Sequence, residues 1–158
     1  MKLNFGFIEE WKNLERVQKS INGGCSIVFY AENKSSMNHF KLLLLELTEV
    51  RNLQVCYVTS IKNDPVFSLK NKNIFAYYIG DGITRTKFFL TLKAKILIMD
   101  MPDLETFHIK RSKVYPVHYV YVFHSMFSIH SYLRKGAIDH YDTIFCVGEH
   151  HEKEILET

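Results

Sequence analysis

Apolar residues along this chain fall into two alternating patterns. Six short runs are continuously apolar, and most of the stretches between them repeat their apolar positions every three to four residues. Residues 8–21 carry Ile8, Trp11, Leu14, Val17 and Ile21 on one face and Glu, Lys and Arg on the other, which predicts an amphipathic helix ended by Asn22-Gly23-Gly24. Residues 25–30 (CSIVFY) read as a buried strand. Ser35 or Ser36 then caps a helix with Phe40, Leu43, Leu44, Leu47 and Val50 on its apolar face. Further strands are predicted at residues 53–58, 74–79, 96–99, 119–123 and 143–147. Gly80-Asp81-Gly82 opens a helix bearing Phe88, Phe89 and Leu92, while residues 104–116 read as irregular and basic. The fifth strand stops at His124-Ser125, and a short helix, the sixth strand and a charged helix follow. Continuous rather than alternating strands, mostly separated by helices, imply a largely parallel sheet covered on both faces. The expectation is one doubly wound α/β domain with six strands.

Composition narrows the function classes. At 158 residues the chain suits one domain, able to bury about two-thirds of its unfolded surface. It is 47% hydrophobic and 23% charged, an ordinary globular balance, and a net charge of +3 gives no argument for nucleic acid. No run of eighteen apolar residues occurs, and Glu9 and Glu10 interrupt any signal-peptide core at the start. Cys25, Cys56 and Cys146 lie in or beside predicted strands without zinc spacing, so buried free thiols in a cytoplasmic protein are expected.

Candidate chemistry gathers where strands end, because ligands of open parallel sheets bind outside the carboxyl ends. His124, at the end of the fifth strand, is a candidate general base for a hydroxyl nucleophile. Ser125 beside it either binds a ligand or orders its loop. Glu32, Asn33, Lys34 and Ser35 follow the first strand, and Glu32 and Lys34 are candidates for a polar substrate; capping accounts for Ser35. Gly80-Asp81-Gly82 is half of a phosphate-binding glycine pattern, with Arg85 where the third glycine belongs, and a plain turn is the simpler reading. Asp100 and Asp103 flank Pro102, but no third ligand is near in sequence, and no metal is expected. His150, His151 and Glu152 are adjacent on a helix and point apart, which argues against chelation. Lys110, in the basic segment 108–113, is a candidate contact for phosphate.

Residues 98–154, IMDMPDLETFHIKRS and then HYVYVFHSMFSIHSYLRKGAIDHYDTIFCVGEHHEKE, together with FYAENKSS after the first strand, resemble the CDP-glycerol glycerophosphotransferase family. These are the teichoic-acid polymerases and primases and their relatives in surface-polysaccharide synthesis. The resemblance implies a GT-B fold, two Rossmann-like domains facing across a cleft, of which this chain is the N-terminal, acceptor-side half. The C-terminal half that binds CDP-glycerol is then expected elsewhere, and the chain alone is expected to be inactive. In the family a Trp-His-Gly-Thr segment supplies a base; here Phe123-His124-Ser125-Met126 stands in its place. The implied mechanism is attack of an acceptor hydroxyl, deprotonated by His124, on the β-phosphorus of a CDP-linked polyol donor, with CMP leaving. Ser125, Glu32, Lys34, Asp103, Lys110 and Arg85 are the expected substrate contacts. The implied acceptor is lipid-linked or a saccharide, no cofactor is implied, and contact with the inner face of the membrane is compatible.

Two other readings compete. Another GT-B enzyme, a nucleotide-sugar glycosyltransferase or a UDP-sugar 2-epimerase-like protein, shares the half-domain architecture. A non-catalytic module is the third, with Trp11 and the basic face of the first helix touching a membrane; packing on the sheet is the commoner fate of such a helix.

Overall fold

The computed structural model describes residues 5–157. Its centre is a six-stranded, all-parallel sheet, built from β1 (Ile27–Ala31), β2 (Val55–Thr59), β3 (Ile74–Tyr78), β4 (Ile96–Met99), β5 (His118–Val122) and β6 (Thr143–Phe145). The strand order is β3-β2-β1-β4-β5-β6, a Rossmann-like doubly wound arrangement.

Alternation along the strands explains why both faces must be covered. Val28 and Tyr30 of β1 join one apolar layer, with Leu14 and Val17 of α1 (Phe5–Asn22) and Phe88 and Phe89 of α3 (Ile83–Thr91). Phe29 and Ala31 join the opposite layer, with Met37, Phe40 and Leu44 of α2 (Ser36–Leu45). Each layer removes large side chains from water, at about 1.5–3 kcal/mol apiece. A third cluster, Tyr121, Phe123 and Ile129, closes the β6 end beneath α4 (Glu149–Leu156). No described helix is long and apolar enough to cross a membrane.

Three local expectations change. The stretch between β5 and β6 holds one 3₁₀ turn, Ile129–Ser131, rather than an α-helix. Serines explain it: Ser125 Oγ accepts from the Phe127 amide and Ser131 Oγ donates to the Ser128 carbonyl, offering the backbone local bonds that compete with a helix. Gly136, at φ +79°, then turns the chain away. Ser35 makes no side-chain cap bond at the start of α2, and Ser36 is used elsewhere. Finally, Cys25 and Cys56 are buried free thiols, but Cys146 is exposed, because β6 is an edge strand that ends one residue before it.

Candidate active site

In this strand order the chain leaves β1 toward β2 and later returns to lay β4 on the other side of β1. Loops at the carboxyl ends of β1 and β4 therefore diverge and open a crevice. The cavity there has a volume of about 360 Å³. Its walls include Glu32, Asn33 and Ser35 from the β1 loop, His39 from α2, Asp100 and Asp103 from the β4 loop, and His124 from the β5 loop.

Three of these side chains form one connected group. Ser36 Oγ donates to Asp100 Oδ1 at 3.0 Å, and His39 Nδ1–H donates to Asp100 Oδ2 at 2.7 Å. Asp100 is buried, so each of its oxygens needs the partner it has. The His39 ring then stacks on His124, with centroids 4.4 Å apart and planes 16° from parallel. Desolvation by the surrounding atoms, and next the neighbouring His39, hold the His124 pKa below the ordinary histidine value, against an opposing pull from Asp100 and the Val122 backbone. A lowered pKa favours the neutral ring, the form that accepts a proton.

The remaining carboxylates of the cavity are already paired. Glu32 Oε1 accepts from Arg85 at 2.9 Å, and His108 Nε2 lies 4.0 Å from the same oxygen. Asp103 pairs with Arg134 at 2.6 Å. Asp103 and Glu105 hold left-handed backbone, at φ +66° and +68°, an uncommon conformation for residues with a side chain. Asp100 and Asp103, three residues apart in the sequence, thus go to different partners.

Of the residues singled out from the sequence, His124, Glu32 and Asp103 line the cavity. Arg85 stands behind Glu32 and holds it. Ser125 is occupied with its own loop, and Lys34 is exposed outside the cavity lining. Lys110 Nζ is bonded to the Glu105 carbonyl. His39 went unread and Ser36 was read only as a possible helix cap, although both stand in the first turn of the helix after β1, where the winding brings them to the same sheet edge. His151 is buried: its Nε2–H donates to the Phe127 carbonyl at 2.8 Å and its ring packs on Phe123.

The turn after β3 has a different occupant from the phosphate its glycines suggested. The Glu10 carboxylate, from α1, sits against Gly80 and accepts from Thr84 Oγ1 at 3.4 Å at the start of α3.

His39, Asp100 and His124 also offer two imidazoles and a carboxylate whose donor atoms lie within 4.8 Å of one another. Those are the ligand types of an open divalent-metal site, although Asp103, the carboxylate considered beside Asp100 in the sequence, is not among them. Near-parallel rings, however, send their lone pairs side by side rather than to one point. Shared chelation would require His124 to rotate out of the stack. Set against protein-family models, curated proteins and solved structures, the chain finds no match.

Proposed function

We propose that this chain is the acceptor-side domain of a CDP-glycerol-type glycerophosphotransferase, with His124 as the general base. The observation that carries the reading is the place of His124, an imidazole stacked on His39 in the wall of the switch-point cavity. The resemblance of residues 98–154 to that family supplies the reaction class.

In this mechanism an acceptor hydroxyl binds beside His124 and gives its proton to the ring nitrogen. The oxygen attacks the β-phosphorus of the CDP-linked polyol, a new P–O bond forms, and the bond to CMP breaks with its electron pair leaving on CMP. That leaving group is a phosphate anion and needs no proton. Glu32 and Asp103, held by Arg85 and Arg134, are fixed acceptors for other hydroxyls of the same molecule. The phosphoryl oxygens require cationic or amide donors. The reading assigns most of these to a second domain closing over this edge of the sheet.

The test is CMP release from CDP-glycerol by the complete gene product. His124→Ala is expected to lower turnover by about 10²–10⁴-fold, the usual contribution of a general base, with the fold intact by circular dichroism. Near wild-type turnover in that variant would remove His124 from the chemistry. Release of UDP from a nucleotide sugar, with CDP-glycerol untouched, would transfer the site to a glycosyltransferase or epimerase.

A further inference from the structure

We propose that His39, Asp100 and His124 form a binding site in the switch-point cavity for one divalent transition-metal ion, zinc or a first-row neighbour. The site goes beyond the transferase reading and stands on geometry independent of it.

Three separate elements supply the donors. His39 comes from the first turn of α2, Asp100 from the end of β4 and His124 from the loop after β5, and one nitrogen or oxygen of each lies within 4.8 Å of the others. An ion with bonds of about 2.1 Å to nitrogen and oxygen sets tetrahedral ligand atoms about 3.4 Å apart. His39 Nδ1 and Asp100 Oδ2 are already 2.7 Å apart, with a proton between them. An ion that replaces this proton needs the two atoms to part by only about 0.7 Å.

Asp100 is also the carboxylate of this cavity that lacks a permanent cation. Glu32 is paired with Arg85 and Asp103 with Arg134, whereas the partner of Asp100 among the described ion pairs is His39. It is at the same time buried, and a buried carboxylate is costly unless a positive charge answers it. Ser36 Oγ holds its other oxygen, as outer partners ordinarily hold metal-bound carboxylates.

His124 is the ligand that must move. Its ring lies flat on His39, with planes 16° from parallel, and a change of side-chain rotamer turns its edge toward the ion. The residue is exposed overall and borders a cavity of about 360 Å³, which gives the ring room. The fourth position then faces the cavity and is open to water or a substrate oxygen. Two imidazoles and one carboxylate suit zinc, cobalt and their neighbours, whereas magnesium and calcium favour all-oxygen sets.

The test is equilibrium dialysis of this chain against zinc, repeated with cobalt(II) to read the coordination from its visible absorption. One ion per chain is expected, in a four-coordinate environment and not displaced by excess magnesium. His39→Ala and His124→Ala should each weaken binding by about 100-fold or more, since removing a ligand costs at least as much as removing an outer partner. His108→Ala, which alters a third histidine of the same cavity, should retain the affinity. The two alanine variants decide the matter if a variant at the buried Asp100 does not fold. No zinc binding, displacement by magnesium, or unchanged affinity in either His39→Ala or His124→Ala overturns the site. An equal loss in His108→Ala overturns this ligand set. Activity is read separately, because an ion on His124 occupies the lone pair that the transferase reading gives to the acceptor's proton. Zinc is then expected to inhibit CMP release by the complete gene product, and a chelator to restore it. If zinc binds through these ligands and turnover is unchanged or requires it, the metal site stands and the base reading falls. If no zinc binds while His124→Ala is inactive, the base stands and the metal site falls.

Discussion

Two turns at the carboxyl edge of the same sheet make opposite use of their position. The turn after β3 is rich in glycine and leads into the amino end of α3, a common place for a phosphate. In this chain the Glu10 carboxylate fills it, supported by Thr84 and Tyr78. The crevice between the β1 and β4 loops has no glycine among its lining residues, yet it is open and carries three histidines and three carboxylates. Glycine makes room for a close approach without saying what approaches. Here the protein itself occupies the room, and the open crevice gains its character from side chains that neighbouring elements hold in place.

The sharpest way to break this comparison is to make one substitution in each region. His124→Ala takes away turnover, by the 10²–10⁴-fold given above, and leaves stability within about 0.5 kcal/mol because the residue is exposed overall. Gly80→Ala does the reverse. Gly80 sits at φ +68°, and a Cβ there would come within 2.5 Å of the Glu10 carboxylate. Backbone strain and displacement of Glu10 together cost about 1–3 kcal/mol in urea unfolding, with turnover at the folded enzyme's level. A Gly80 variant that folds normally yet loses activity would make the β3 turn part of the site.

How far the sequence reached follows the same division. Strand runs such as residues 96–99 were legible because burial on both faces demands continuous apolar residues, and that strand's bounds are the observed ones. His124 was legible because strand ends are local features. His39 was not: in the sequence it is one polar residue in a helix, and only the winding of β1 and β4 sets it 2.7 Å from Asp100. Asp100 and Asp103 read as a pair, and the left-handed backbone at Asp103 separates them. The helix expected after Ser125 failed because periodicity counts apolar positions and overlooks serine side chains bonding to nearby backbone.

Ser125 provides a finer cut within the crevice region itself. Its hydroxyl accepts from the Phe127 amide and is not among the residues lining the cavity. Ser125→Ala should leave turnover at the wild-type level and change stability by no more than about 0.5 kcal/mol. A loss of turnover approaching that of His124→Ala would bring the β5 loop backbone into the site.

Glu10 gives the smallest effect and the most direct measure of what fills the β3 turn. Two influences oppose each other there. The amino end of α3 favours a carboxylate, while partial burial disfavours its charge. Burial is the largest contribution: the Glu10 pKa is raised, against bonds from Thr84 and Tyr78 that pull it down. A carboxyl whose folded pKa lies above its unfolded one binds more protons in the folded state between the two values. Stability from this group is therefore full below the unfolded pKa and declines as pH rises through the folded one. Glu10→Gln cannot titrate, so the stability of the wild type relative to this variant should fall as pH rises from the ordinary glutamate value of about 4.3 through the raised folded one in urea unfolding. A relative stability that instead rises over that range would mean that α3 binds the ionised carboxylate more strongly than burial opposes it. The β3 turn would then be an anion site whose anion is supplied by this chain, and its contrast with the crevice would lie in the source of the occupant alone.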